Sequence, residues 1–319
     1  GGQRGGGGAS AEDLSSCMLN VPPGSPHLSI MSFDHAFHGR TFGCLSLTHS
    51  KPVHKLDVPA FDWPMAPFPQ LKYPLDQNAA HNTAEEAKCL DKVSELMKQY
   101  AAKGYPVAAL IVEPIQGEGG DNSASPDFFK GLQKLCKQNG TAFVVDEVQT
   151  GGGATGHFWA HEAWGLPEPP DIVTFAKKML TGGYYFRDDL TVKDGYRIYN
   201  TWMGDHSKLM LLEASVNTVK SQNLLKLVQD SGKVLLDGLN KLQSAHPDLL
   251  MNARGAGTFC SIDCRDTALR DAMVAGAKNK GLLIGGCGER TIRFRPALIF
   301  QPHHAELALD ILSQVIKAV

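Results

Sequence analysis

No stretch of this chain approaches the roughly 20 consecutive apolar residues that a bilayer-crossing helix needs. Neither sign of charge dominates: 31 Lys and Arg stand against 33 Asp and Glu, a net charge of −2. That balance leaves no electrostatic footprint for nucleic acid or an anionic membrane surface. Cysteines are few, seven in all, scattered at positions 17, 44, 89, 136, 260, 264 and 287. An odd, dispersed set does not make a disulfide framework and suits a reducing compartment. Cys260 and Cys264 lie four apart with no second pair after them, which argues against a zinc or iron–sulfur site. A secretory or transit signal is missing too, as is an initial Met. The chain opens instead on the glycine-rich run Gly1 to Ser10, as expected for part of a longer protein.

What is present is an ordinary globular composition, 43% hydrophobic and 20% charged over 319 residues, enough for one large or two smaller domains. Residues 1–26, with breakers at Pro22, Pro23 and Pro26, are expected to form a disordered lead. Leu28 to Phe33 reads as a short strand. Residues 51–74 hold six prolines and are expected to loop over the surface. Ala84 to Lys103 has helical apolar spacing and ends at Gly104. From there the rhythm is strand, helix, strand: Val107 to Val112, Asp127 to Gln138, Ala142 to Val145, then Asp171 to Phe175. Such alternation predicts an α/β domain with a mainly parallel sheet, here over residues 27–223. Leu211 to Gln243 reads as helix broken near Asn223 and Gly232. Strand-like and helical runs over residues 224–319 then predict a small α+β domain.

Two segments carry most of the chemistry. In Thr141 to Gly151, an apolar β-branched run ends in Asp146-Glu147-Val148-Gln149. In Asp171 to Lys178, another ends in Lys177-Lys178. A buried parallel strand looks like this when it delivers a functional side chain at its carboxyl end. Alone, Asp146 could be a metal ligand, a nucleotide-hydrolysing acid or a helix cap. Gly151 to Gly156 lacks the Gly-Lys-Ser/Thr of a phosphate-binding P-loop, which weakens the nucleotide reading. Strand alternation turns one lysine inward and the other outward. An inward lysine in a partly dry cleft has a lowered pKa, as Schiff-base chemistry requires, although two solvated lysines are the blander reading.

Other segments fit beside them. Val112 to Gly120 places Glu118 in a glycine loop after a strand, and Ile292 to Pro296 sets Arg293 and Arg295 on one strand face. Arg40 follows Phe37-His38-Gly39 in a turn. Arginines facing a nearby acid suit a substrate with two carboxylates. Phe37-His38 could stack on an aromatic ring or serve as plain core. Thr201, in Asn200-Thr201-Trp202-Met203-Gly204, offers a hydroxyl to phosphate or to its own backbone.

Taken together these segments resemble the class III pyridoxal-phosphate-dependent aminotransferases, from about Gln3 to the C-terminus. The resemblance rests on Ala36-Phe37-His38-Gly39-Arg40-Thr41, Phe61-Asp62-Trp63-Pro64, Glu113-Pro114-Ile115-Gln116, Asp146-Glu147-Val148-Gln149-Thr150-Gly151 and Phe175-Ala176-Lys177-Lys178. It continues in Arg254 to Cys260, Gly285-Gly286-Cys287-Gly288 and Ile292-Arg293-Phe294-Arg295-Pro296. It implies the aspartate aminotransferase-like fold (fold type I), with a large cofactor-binding domain, a small C-terminal domain and an N-terminal part missing here.

The implied cofactor is pyridoxal 5′-phosphate. Lys177, rather than Lys178, would carry it and shuttle a proton between Cα and C4′, and Asp146 would keep its pyridinium nitrogen protonated. Val148 and Phe37, next to His38, would sandwich the ring, and Gln149 would bond its phenolic oxygen. Thr201 would reach the phosphate bound to a partner subunit, which implies a homodimer. Arg40 would grip the carboxylate of 4-aminobutyrate. Arg293 would pair with Glu118 during that half-reaction, then release it to hold the α-carboxylate of 2-oxoglutarate. A mitochondrial matrix location follows by family, with no nucleic-acid or membrane partner. Two other readings remain: an inactive truncated paralogue or splice fragment that only dimerises, and an enzyme for β-alanine, 5-aminovalerate or ornithine.

Overall fold

The computed structural model describes residues 8–318. In chain order the strands are β1 (Ser29–Phe33), β2 (Met65–Ala66), β3 (Val107–Val112), β4 (Ile115–Gln116), β5 (Asn122–Ser123), β6 (Ala142–Asp146), β7 (Ile172–Phe175), β8 (Gly183–Phe186), β9 (Leu250–Ala256), β10 (Phe259–Cys264), β11 (Gly285–Cys287) and β12 (Thr291–Phe294). The α-helices are α1 (Ala11–Cys17), α2 (Phe42–Leu45), α3 (Ala79–Ala102), α4 (Pro126–Gln138), α5 (His206–Ser221), α6 (Leu224–Ala245), α7 (Thr267–Asn279) and α8 (Pro302–Ile316).

Six strands form one sheet in the order β2-β1-β3-β6-β7-β8, parallel throughout except for β8, which returns antiparallel to β7. Its central strands, Val-Ala-Ala-Leu-Ile-Val and Ala-Phe-Val-Val-Asp, are continuous apolar runs, as strands covered on both faces must be. Phe33, Phe68, Phe128 and Phe129 pack edge-on, with Trp164 stacked on Phe129, to fill the core beneath α3 and α4. Buried Glu86 of α3 takes hydrogen bonds from the amide and hydroxyl of Ser125, the N-cap of α4, and so fixes where that helix starts.

A second sheet, β11-β12-β10-β9, is wholly antiparallel. Its buried face (Cys260, Ile262, Ile292, Phe294) packs with Leu235 and Leu239 of α6 and Leu312 of α8.

Three sequence readings need correction. Residues 1–7 lie outside the described residues, but the expected disordered lead of 1–26 contains α1. Ser10 caps α1 with a reciprocal box, its hydroxyl accepting the Asp13 amide while Asp13 accepts the Ser10 amide. Gly232 does not break α6. It is buried, and a Cβ there would lie 2.1 Å from the Gly257 carbonyl oxygen, so glycine serves close packing of helix on turn. Strand β9 was overlooked because Met251-Asn252-Ala253-Arg254 reads as polar. Arg254 is nevertheless 8% exposed, buried by its hydrogen bonds.

Candidate active site

The parallel strands bring their carboxyl ends to one edge. In the register, Val112 faces Val145 and Asp146 faces Thr174, so Glu113, Asp146 and Thr174 line up across three neighbouring strands. Asp146 is 7% exposed, and both its oxygens are used. His38 donates from Nδ1 at 2.8 Å to Oδ2, and the Val148 amide and Thr174 hydroxyl donate to Oδ1 at 3.0 and 3.1 Å. Burial pushes this carboxyl up, but the His38 contact, with the other two bonds, outweighs it and holds the group below its ordinary range. The result is a carboxylate kept ionised inside the protein. The same bonds tie the Phe37–His38 and Val148–Gln149 segments to one point.

Glu113 behaves oppositely. It accepts the Phe37 amide at 2.8 Å and the Gly117 amide at 3.3 Å, and it is buried. Burial, then the neighbouring Asp146, raises its carboxyl well above the usual range.

The two lysines after β7 lie in a short 3-10 turn, Lys177–Met179, and not on the strand, so the expected strand alternation does not place them; the one that turns inward is Lys178. Lys177 has a left-handed backbone (φ 50°) and an exposed side chain. Lys178 is half-buried, packs where Gly152 leaves room, and lines an apolar cavity with Met179, Leu211 and Val219. Burial lowers its pKa, with Arg295 and Lys177 adding to the shift.

Further along the edge, Arg293 of β12 donates to Glu118 at 2.7 Å, with the two side chains 25% and 24% exposed. Gln149 donates to the same Glu118 oxygen at 3.2 Å. Burial raises the Glu118 carboxyl, and the Arg293 contact more than offsets this, leaving it lowered. A Cβ at Gly117 would lie 2.4 Å from the Gln149 side-chain oxygen, so glycine leaves the space in which that amide reaches Glu118.

The structure therefore gathers these residues into two hydrogen-bonded sets, Asp146 with His38 and the Val148 amide, and Glu118 with Gln149 and Arg293, joined through the chain at Val148–Gln149. Phe37 sits at its margin, half-buried and edge-on to His54 at 5.1 Å. Arg40 is exposed and, among the described residues, makes no ion pair. Thr201 is exposed in a turn held by the Asn200 side chain. Glu113 and Glu147 escaped the sequence reading. Glu147 is fully buried and accepts both the amide and Nδ1 of His161 at 2.9 Å, with Thr150 closing the set. A carboxylate at the end of an apolar run was the available signal, and Asp146 alone was credited with it.

A model of the aminotransferase class-III family matches residues 15–316. The chain belongs to the class III aminotransferases. It is 52% identical over 314 residues to the mitochondrial 4-aminobutyrate aminotransferase of Sus scrofa, and 51% identical over 315 residues to the 4-aminobutyrate aminotransferase of Dictyostelium discoideum. These alignments cover 98% and 99% of the chain, which spans 63% of the length of each relative. Among solved structures, a lysine aminotransferase from M. tuberculosis superposes with a TM-score of 0.86 at 28% identity, over 96% of this chain and 70% of that one. A Bacillus anthracis aminotransferase shares the fold, with a TM-score of 0.81 at 21% identity, over 93% and 71% of the two chains.

Proposed function

We propose that this chain carries the ring-binding and substrate-selecting part of a 4-aminobutyrate:2-oxoglutarate aminotransferase. The observation that carries the reading is the quarter-exposed Glu118–Arg293 pair beside the buried Asp146–His38 pair. Class III aminotransferases use pyridoxal 5′-phosphate, and the donor set fits it. Asp146 is held ionised and fixed, as a protonated ring nitrogen needs, while the residues flanking its bonds, Phe37 and Val148, offer apolar surface. When bound, the cofactor supplies an electron sink that weakens a C–H bond at the amine-bearing carbon and carries the amino group between substrates.

Lys177 is the amine assigned to hold the cofactor and to move the proton at that carbon. It follows β7, whose Thr174 pairs with Asp146 in the sheet register, whereas Lys178 turns into the apolar cavity under Gly152. Gln149, now on Glu118 and next in the chain to Val148, is the residue assigned to bond the ring's phenolic oxygen. Arg40, without an ion pair of its own, is available to the carboxylate of 4-aminobutyrate. With Glu118 neutralising it, Arg293 presents no free charge to that monocarboxylate. Released from Glu118, it binds the second carboxylate of 2-oxoglutarate.

A second copy of the chain completes the site. Tyr196, Ile198, Tyr199, Trp202 and Met203 are all more than half exposed, an apolar patch that a dimer would cover. It carries Thr201 toward the partner's phosphate. The large and small domains divide between residues 223 and 224. By likeness to its mitochondrial relatives the protein acts in the mitochondrial matrix, and no described helix is long and apolar enough to cross a membrane.

The test is twofold. Pyridoxal phosphate added to the protein should give a visible-edge absorbance band that Lys177→Ala abolishes. 4-Aminobutyrate with 2-oxoglutarate should then yield glutamate. A band with glutamate formed only from β-alanine, 5-aminovalerate or ornithine would move the donor assignment. No band at all would make the chain an inactive paralogue or fragment.

A further inference from the structure

The loop Gly117–Asp121 offers two carboxylates, Glu118 and Asp121, to two arginines two residues apart, Arg293 and Arg295. The two pairs differ in kind. Glu118 and Arg293 are about a quarter exposed, and their bond is between side chains only. Asp121 is 3% exposed, has a left-handed backbone (φ 55°), and is paired with the guanidinium of Arg295. That guanidinium lies 3.2 Å above the Phe259 ring centroid and also donates to the Phe294 carbonyl at 2.7 Å.

Arg254 of β9 holds the same stretch by its main chain. It donates to the carbonyl oxygens of Gly120 and Asp121 at 2.5 and 3.0 Å, and Asp263 of β10 takes a further hydrogen bond from it at 2.9 Å. Thr291 donates to Asp263 at 2.7 Å from the third strand. At the near end the Gly288 amide donates to the Glu118 carbonyl at 3.1 Å. A side chain at Gly288 would come within 2.9 Å of the Gly120 Cα, so the two loops touch directly. The loop backbone is thus fixed at Glu118, Gly120 and Asp121, all from the C-terminal sheet.

We propose that Arg254 and Arg295 are positioning residues for substrate choice. They lock the Gly117–Asp121 loop to the C-terminal sheet, so that Glu118 and Arg293 part by side-chain movement while the backbone stays in place. This rests on reading Glu118–Arg293 as the element that admits a second carboxylate. Without the lock, the loop would drift once Arg293 lets go, and 2-oxoglutarate would meet a guanidinium with no fixed position. 4-Aminobutyrate, which leaves that pair closed, would notice little.

Two variants weaken the lock without touching Glu118 or Arg293. Asp121→Asn keeps the shape and tolerates a positive φ. Asp263→Asn acts from behind Arg254. Amide hydrogen exchange on the unliganded protein is the first measurement. Exchange at Asp121, whose amide bonds the Gln116 carbonyl at 2.8 Å, and at Gly288 should quicken roughly tenfold or more, with α4 unchanged. Steady-state kinetics of the holoenzyme is the second. KM for 2-oxoglutarate should rise by about tenfold, a loss near 1.4 kcal/mol, with KM for 4-aminobutyrate moving less than about threefold. Unchanged exchange, or equal losses for both substrates, would overturn the proposal. Should the wild type fail to pass nitrogen from 4-aminobutyrate to 2-oxoglutarate, the substrate reading falls and the exchange comparison alone decides the lock.

Discussion

The two ends of this site are built to different tolerances. Asp146 itself is buried, and three donors from three segments converge on its carboxylate, the His38 contact the shortest at 2.8 Å. Around Glu118 the contact to Arg293 is equally short, yet both side chains keep about a quarter of their surface in water. Buried, multiply bonded charges are costly to disturb, whereas exposed pairs exchange with solvent at little expense. The difference matches the tasks proposed. A ring nitrogen needs one partner in one place throughout, while two substrates of different charge need a cation that is sometimes masked.

Substitutions should break this contrast unequally. The largest effect is expected at Lys177: Lys177→Ala should remove the cofactor band and lower turnover by about 10³-fold or more, as loss of a positioned proton carrier does. Lys178→Ala should keep the band, and absorbance spectra of the two variants side by side decide the assignment. Asp146→Asn comes next. It leaves His38 without its charged partner in the interior and should cost about 3 kcal/mol in urea unfolding. Its pH signature is specific. The folded carboxyl titrates below its ordinary value near 3.9, so its stabilisation is present above that value and is lost as pH falls through the lower folded one. The variant's acid-unfolding curve should lack that component.

Glu113 should show the opposite sign. Its carboxyl is raised, so its contribution is full below the ordinary glutamate value of about 4.3 and fades as pH rises through the folded value. Denaturant melts across that range should therefore show Glu113→Gln gaining on the wild type as pH rises. The smallest stability effect belongs to Glu118→Gln, under about 1 kcal/mol, as for other partly exposed pairs.

Much of this was legible in the sequence because the informative residues sit at strand ends. Apolar runs ending in Asp146 and Lys177 announce both the parallel sheet and the edge proposed to carry its chemistry. The glycine before Glu118 and the Arg-Phe-Arg strand likewise mark a close approach of two loops. What stayed hidden depends on contacts distant in sequence. Arg254 is buried only because the Gly120 and Asp121 carbonyls, more than 130 residues away, accept from it. Gly232 looks like a helix breaker until the turn at Gly257 is placed against it. The two lysines are alike as letters, and only Gly152 and the apolar cavity beneath distinguish them.

The contrast between a fixed and a switchable end is tested most directly by separate half-reaction kinetics on Glu118→Gln. With Arg293 unmasked, the 4-aminobutyrate half-reaction should weaken by about tenfold in kcat/KM while the 2-oxoglutarate half-reaction holds or improves. Equal losses in both half-reactions, or none in either, would contradict the switch.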